Sequence, residues 1–169
     1  YAIKLATDLI DNFKNVYEDK WLNMMRGKLG LIGEHKNDKK LATDLLNWME
    51  KNKVDYTNTF CHLMNIDTKD NIYKKKDFLN WTKEWEKRSE LNNSNKEKKI
   101  KLMKKNNPLI IPRNHIVEEA LAKAENGDLD KIKDLLKVLK DPLNDQTKIT
   151  KYQMPAPISN EKYQTYCGT

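Results

Sequence analysis

The chain has 169 residues, a formal net charge of +7, and 34% charged against 38% hydrophobic residues. Five glycines and five prolines are too few for a turn-rich all-β fold, and the charged fraction suits elongated amphipathic helices better than a compact α/β core. The sequence has no run of about 18 apolar residues and opens with no signal-peptide pattern, so we predict a cytoplasmic protein with no membrane partner.

The excess of basic residues does not predict a nucleic-acid partner. Only Arg26, Arg88 and Arg113 are arginines among the 32 basic residues, and arginine supplies the planar fork that grips phosphates and guanine edges. Lysine and asparagine are both in excess, as in the lysine-rich stretch 95–105. A charge run of this kind is more often a solvated helix face than a binding patch.

Cysteine and histidine usage gives no metal motif. Cys61 and Cys167 are the only cysteines, too few for a disulfide framework. The sequence has no CxxC or HxxxH spacing, and His35, His62 and His115 lie far apart. We therefore predict no metal site in this chain.

Residues 2–26 have the pattern of one long amphipathic helix. Apolar side chains recur at three- and four-residue steps, with Lys, Asp and Asn between them. Because such stripes usually pack in a core, we expect this one to be buried. Its members are Ala6, Leu9, Ile10, Phe13, Val16, Tyr17, Trp21, Met24 and Met25.

The segment RGKLGLIG is predicted to end this helix. Gly27, Gly30 and Gly33 surround Lys28, which raises the question of a phosphate-binding loop. Such a loop follows a strand and ends in GK[ST], whereas here a helix precedes the glycines and the lysine is misplaced. A helix terminus with a left-handed glycine, followed by an apolar turn, explains the pattern.

Three further helices follow. One lies within 37–55, a short one is capped by Asp55 or Thr57, and another occupies 76–90. Cys61 is expected to be buried and to behave as a small apolar side chain. The predicted inward-facing residues are Leu41, Leu45, Trp48 and Met49, then Phe60, Leu63 and Met64, then Phe78, Trp81, Trp85 and Arg88.

A helical hairpin is predicted after the polar stretch 91–106. Pro112 sets up the start of its first helix and Gly127 ends it, while Asp128 caps the second helix and Pro142 stops it. The predicted inward faces are Ile116, Ala120, Leu121 and Ala124 on the first helix, and Ile132, Leu135, Leu136 and Leu139 on the second.

Taken together, these elements predict an all-α fold. We expect an irregular bundle of about six helices over residues 1–142, with a weak break around 91–106. Residues 143–169 lose the periodicity and carry closely spaced prolines, so we expect an extended C-terminal tail. The first residue is Tyr1 rather than Met, which leads us to expect a piece of a longer protein.

Several stretches together resemble the C-terminal part of the selenoprotein O family. MRGKLGL (25–31) resembles that family's Met-Arg-x-Lys-Leu-Gly-Leu segment, and DYTNTF (55–60) matches its Asp-Tyr-Thr-Asn-Thr-Phe block. NPLIIPRNHIVEEAL (107–121) resembles its Asn-Pro…Arg-Asn segment, and the final CGT places a cysteine near the position of the selenocysteine in eukaryotic members. The blocks occur in family order over most of the chain. One departure is that Cys61 and His62 stand where the family has a basic residue.

The resemblance implies a kinase-like fold that binds ATP in a flipped orientation and transfers AMP to hydroxyl side chains of other proteins. ATP and Mg²⁺ are then the cofactors of the full-length enzyme, and proteins are its substrates. Such chemistry needs a phosphate clamp, a metal-binding aspartate and a base or positioning residue, and none is recognisable here. The chain would be the helical C-terminal region, with no catalytic residue or cofactor of its own, inactive alone and partnered with the kinase-like domain upstream.

The resemblance also implies a redox-regulatory role for Cys167. In the family the late cysteine or selenocysteine is linked to redox control, and pairing with an upstream cysteine would tie the tail down. A Cys61–Cys167 disulfide is a weaker alternative, because Cys61 is expected to be buried and a cytosolic compartment disfavours stable disulfides. An ordinary exposed thiol is the third alternative.

Arg26, Lys28 and Arg113 lie inside the resembling blocks. Partly buried arginines usually hold carboxylates in two-point contacts, so we predict that Arg26 and Arg113 are structural clamps. A contact from Arg26 or Lys28 to the nucleotide-binding part of the protein is the alternative. A second class of function also stays open, namely a stand-alone helical module that binds a partner protein and has no catalytic activity.

Overall fold

A computed structural model describes residues 2–66, 70–92, 95–143 and 150–156. Over these residues the chain forms α-helices and one 3-10 helix and no strand, which confirms the all-α prediction. The helices are α1 (Ala2–Leu29), α2 (Asp38–Asn52), α3 (Tyr56–Leu63), the 3-10 helix Asn71–Lys74, α4 (Lys76–Ser89), α5 (Lys96–Asn106), α6 (Asn114–Glu125), α7 (Asp130–Leu139) and α8 (Thr150–Gln153).

The chain divides into two compact units, Tyr1–Leu109 and Ile110–Thr169. In the first unit α1 packs against α2, α3 and α5, and α4 packs against α2 and the 3-10 helix. In the second unit α6 and α7 form the predicted hairpin. Within the segment predicted as an extended tail, α8 is one helical turn with Tyr152 buried, while residues 157–169 lie outside the described residues.

The helix ends follow the local signals in the sequence. At the end of α1, the amide of Leu31 donates to the carbonyl of Arg26 and the amide of Gly30 donates to that of Gly27, at 2.9 and 3.2 Å. With Gly30 at φ +68°, this is the double hydrogen-bond pattern that closes a helix on a left-handed residue. The predicted glycine terminus is therefore confirmed. Of the two predicted caps of α3, Asp55 is the one used, its side chain accepting from the amide of Asn58 at 2.8 Å.

The core of the first unit is rich in aromatic rings. Trp48, Tyr73, Phe78 and Trp81 lie in a chain of ring contacts with centroids 4.6–6.1 Å apart. The indole N–H groups of Trp81 and Trp85 donate to the carbonyls of Leu41 and Leu29, at 2.9 and 2.8 Å. Because these carbonyls belong to α2 and α1, the two tryptophans of α4 tie three helices together.

The prediction that the apolar stripe of α1 is buried is wrong for most of its length. Met25 is buried and Trp21 is half-buried. Every residue from 9 to 17 is exposed, because the neighbouring helices of the unit pack only against the C-terminal part of α1. The exposed members of the stripe include Leu9, Ile10, Phe13, Val16, Tyr17 and Met24.

The hairpin faces also differ in part from the prediction. Ala120 and Leu135 are buried as expected, but Leu121 and Leu136 are 49% and 54% exposed. Both exposed leucines lie one residue beyond a buried one, about 100° around the helix and at the edge of the packed stripe.

No helix among the described residues combines the length and apolar character needed to cross a membrane.

Candidate functional site

Three of the sequence blocks that carry the family resemblance, 25–31, 55–60 and 107–121, meet around one side chain, that of Lys28. Its ammonium nitrogen lies 5.2 Å and 4.8 Å from the ring centroids of Tyr56 and Phe60, and 3.1 Å from Oδ1 of Asn107. Asn107 returns a hydrogen bond from Nδ2 to the Lys28 carbonyl at 2.8 Å, and a second to that of Met103. We call the set Lys28, Tyr56, Phe60 and Asn107 the Lys28 junction.

The Lys28 junction holds a positive charge in a largely apolar setting. Burial lowers the pKa of the Lys28 ammonium, while the neighbouring Cys61 opposes this shift. Two aromatic faces and an amide oxygen compensate for part of the lost hydration. Burial also raises the pKa of Tyr56, whose ring forms one wall of the junction.

A second cluster lies at the start of α2, where Asp38 links α1, α2 and α4. Its Oδ2 accepts from Nε of Arg26 at 2.8 Å and from the His35 amide at 2.9 Å. Its Oδ1 accepts from Nε of Arg88 at 2.6 Å, and Nη2 of Arg88 reaches Oδ2 at 3.2 Å and the Gly33 carbonyl at 3.0 Å. We call Arg26, Asp38 and Arg88 the Asp38 clamp.

The Asp38 carboxylate is fully buried but remains ionised. Burial by itself would raise the pKa of Asp38, but hydrogen bonds from Arg88 and Arg26 outweigh it, and the net effect lowers the pKa. The charge of Arg26 is shared further with Glu34, 3.3 Å away, and with Oδ1 of Asn23 at 2.8 Å. The guanidinium of Arg26 thus faces protein groups of the first unit.

The other predicted site residues lie elsewhere. Arg113 is buried and directly precedes α6, in the second unit. Its role as a clamp stays a prediction. Cys167 lies outside the described residues. Cys61 is buried as predicted, with 1% of its surface exposed.

Both clusters join groups of the first unit to one another. No group of three or more His, Cys, Asp or Glu side chains in the described part of the chain could hold a metal ion. The cations of the two clusters face an amide, aromatic rings and a carboxylate of the same unit. This arrangement can hold helices in register, which is the chemistry that buried ion pairs and aromatic-bound cations supply.

Sequence reasoning selected Arg26 and Lys28 but missed their partners. Asp38 follows Asn37 and precedes two lysines, a setting typical of an ordinary helix start. Arg88 gave a usable signal, because it falls on the same stripe as Phe78, Trp81 and Trp85. A charge on an otherwise apolar helix face indicates a buried counter-ion.

The comparisons with known proteins bear directly on these blocks. The family model of the protein adenylyltransferase SelO matches residues 2–140, which include the Lys28 junction and the Asp38 clamp. The chain belongs to this family.

Curated relatives agree over nearly the whole chain. The protein nucleotidyltransferase YdiU of Pelagibacter ubique is 51% identical over 169 residues, covering 99% of this chain and 35% of that protein. The proteins of the same name from Nitrosococcus oceani and Bacillus cereus are 41% and 42% identical, again over 99% of the chain. The chain spans about a third of the length of these relatives.

Proposed function

We propose that this chain is the helical C-terminal region of an enzyme that transfers AMP from ATP to hydroxyl side chains of proteins, with a kinase-like catalytic domain upstream. In that reaction a protein hydroxyl oxygen attacks the α-phosphorus of ATP, pyrophosphate leaves, and the hydroxyl proton passes to a base outside this chain. The observation that carries the proposal is the 51% identity to a protein nucleotidyltransferase along 99% of the chain.

The geometry supports a structural role for the chain within such an enzyme. ATP and Mg²⁺ would be the cofactors, yet the described residues offer no cluster of metal ligands. Arg26 and Lys28, the basic residues of the first resembling block, lie against Asp38 and Asn107. We therefore assign the phosphate clamp and the metal ligands to the other two thirds of the protein. We also propose that the full-length enzyme acts in the cytoplasm.

Labelled ATP tests the proposal on the full-length protein. With Mg²⁺ and a mixture of cellular proteins, label at the α-phosphate should become protein-bound, whereas label at the γ-phosphate should not. Transfer of the γ-label would indicate a kinase, and absence of both would contradict the proposal. The isolated 169-residue chain should not bind Mg-ATP, and micromolar binding by it would contradict the assignment of the catalytic residues.

We further propose that Cys167 regulates this enzyme by forming a disulfide with a cysteine outside the chain. Two thiols would lose two electrons and two protons to a small-molecule disulfide. Cys61 is a poor partner because it is buried in α3. Peptide mapping after alkylation, with and without reductant, should find Cys167 in a reducible cross-link with the remainder of the full-length protein. Free alkylation of Cys167 under oxidising conditions would contradict this role.

A further inference from the structure

Residues 9–24 of α1 carry an apolar face that no described residue covers. The face contains six large side chains, of which Leu9, Ile10 and Phe13 are 67%, 73% and 67% exposed. The rings of Phe13 and Tyr17 stack on it with centroids 6.3 Å apart. We call Leu9, Ile10, Phe13, Val16, Tyr17 and Met24 the outer face of α1.

The outer face is distinct from the face that α1 already uses for packing. The buried residues Met25 and Leu29 anchor α1 in the first unit. At 100° per residue, their mean direction lies about 140° around the helix axis from the mean direction of the outer face. The exposed stripe is therefore a second apolar side, and it runs along the helix as far as Met24, which is 44% exposed.

A helix segment whose apolar face is exposed lacks the usual source of helical stability. Isolated helices of about 15 residues are marginal in water, and most helical stability in proteins comes from packing an apolar face. The sequence nevertheless places apolar residues at the three- and four-residue steps typical of a docked helix. Exposed apolar stripes of this kind mark interaction surfaces.

The length of the related proteins indicates what covers this surface. Their match spans 99% of this chain but only 35% of the Pelagibacter protein, so most of such a protein lies outside the 169 residues. Residues of the same polypeptide meet a surface at a high effective concentration, which a second copy or a separate protein does not have.

We propose that the outer face of α1 is the docking surface for the part of the full-length protein that this chain does not contain. The inference rests on the proposed function only in taking the chain as a region of a longer enzyme. α1 then lies between two bodies, with Met25 and Leu29 facing its own unit and the outer face buried against the remainder of the protein.

Site-specific photo-crosslinking in the full-length protein tests this docking. Phe13 is replaced by p-benzoylphenylalanine, a photoreactive analogue of similar shape, and crosslinked peptides are identified by mass spectrometry. The matched control places the same analogue at Asn15, which is exposed and lies about 160° around the helix from Phe13. We expect position 13, and not position 15, to crosslink to sequence outside the 169 residues.

Three results would overturn the proposal. These are crosslinks from position 13 only to residues within the 169-residue chain, crosslinks between differently isotope-labelled copies, and equal yields outside the chain from positions 13 and 15. The first would assign the surface to a segment of this chain, and the second to a homo-oligomer.

Amide hydrogen exchange on the unmodified full-length protein gives a second test that needs no substitution. Residues 9–17 should exchange at least about tenfold more slowly than unprotected amides, because a docked helix opens only at a cost in free energy. Exchange at the unprotected rate would overturn the docking. Both measurements are independent of AMP transfer, so a full-length protein that shows the crosslinks but transfers no AMP would refute the proposed function and leave this inference intact.

Discussion

Asp38 is a buried carboxylate whose oxygens accept hydrogen bonds from Arg26, Arg88 and the backbone of His35. Since these partners lie on α1, on α4 and in the loop before α2, one side chain sets the relative positions of three segments. Removing one member of a buried ion pair is costly, because the remaining charges stay buried without compensation. The Asp38 clamp is therefore a sensitive point of the first unit.

The Asp38→Asn variant should lose about 3–5 kcal/mol of unfolding free energy, measured by urea denaturation at neutral pH. Asp44→Asn is the matched control, because Asp44 is also on α2 but pairs with Lys40 at the surface, and it should lose less than about 1 kcal/mol. Similar losses for the two variants would contradict the role of the clamp.

Wild type and Asp38→Asn should also differ in how their unfolding free energies respond to acid. The folded-state pKa of Asp38 lies below its unfolded value of about 4. The ionised Asp38 side chain therefore adds to the unfolding free energy above about pH 4, and this stabilisation is lost as the pH falls below that value. The stability difference between wild type and Asp38→Asn should therefore narrow as the pH falls below about 4. A constant difference down to strongly acidic pH would contradict this assignment.

At the scale of elements, the positions of the helices could be predicted from the sequence because their signals are local. The 3.6-residue period predicted α1, α2 and α4, a cap at Asp55 or Thr57 predicted α3, and the glycines of RGKLGLIG predicted the end of α1. Which face of α1 is covered could not be predicted, since periodicity shows that a face is apolar and not what lies on it. The Asp38 clamp was likewise hidden, because pairing residues 50 positions apart depends on the tertiary fold.

Gly30 shows how closely α1 approaches α5. A Cβ at this position would lie 2.9 Å from the Lys99 carbonyl oxygen and 2.8 Å from the Met103 side chain, both on α5. Gly33 has nearly the same φ, +67° against +68°, but the three atoms nearest to its Cβ would all belong to the side chain of Asn92. Comparing alanine substitutions at the two glycines therefore distinguishes the cost of backbone strain from the cost of crowding between α1 and α5.

Gly30→Ala should cost about 2–4 kcal/mol of unfolding free energy, combining left-handed strain with overpacking against α5. Gly33→Ala should cost about 1–2 kcal/mol, mainly from strain, because the Asn92 side chain can move away. Urea unfolding followed by tryptophan fluorescence measures both, since all four tryptophans lie in the first unit. A cost for Gly33→Ala as large as that for Gly30→Ala would contradict the close packing of α1 on α5.

At the scale of the whole molecule, the aromatic core makes stability depend on alkaline pH. Tyr73 is 3% exposed, and its ring stacks on His62 with centroids 4.0 Å apart. The hydroxyl of Thr59 donates to the Asp55 carbonyl at 2.8 Å, so the phenol of Tyr73, 3.1 Å away, donates to Thr59. Burial raises the pKa of Tyr73 to about 12, with smaller contributions from nearby acidic groups.

The sign of the effect follows from proton linkage. Between the unfolded pKa of about 10 and the folded pKa of about 12, the unfolded chain has lost the phenolic proton while the folded chain keeps it. Raising the pH through this window therefore favours unfolding, by at most about 3 kcal/mol for a shift of this size. Below pH 10 the phenol is protonated in both states, and this contribution does not vary with pH.

Tyr73→Phe should make the chain less sensitive to alkali. The variant keeps the ring in the core and leaves Thr59 bonded to Asp55, so its stability at pH 8 should fall by only about 1 kcal/mol, the value of one hydrogen bond. Between pH 10 and 12 its stability should decline less than that of wild type, and the two curves should converge or cross. Tyr17→Phe in the isolated 169-residue chain, where this phenol of α1 is exposed, is the control and should follow the wild-type curve. Parallel curves for wild type and Tyr73→Phe across this window would show that the Tyr73 phenol ionises as readily in the folded chain as in the unfolded one.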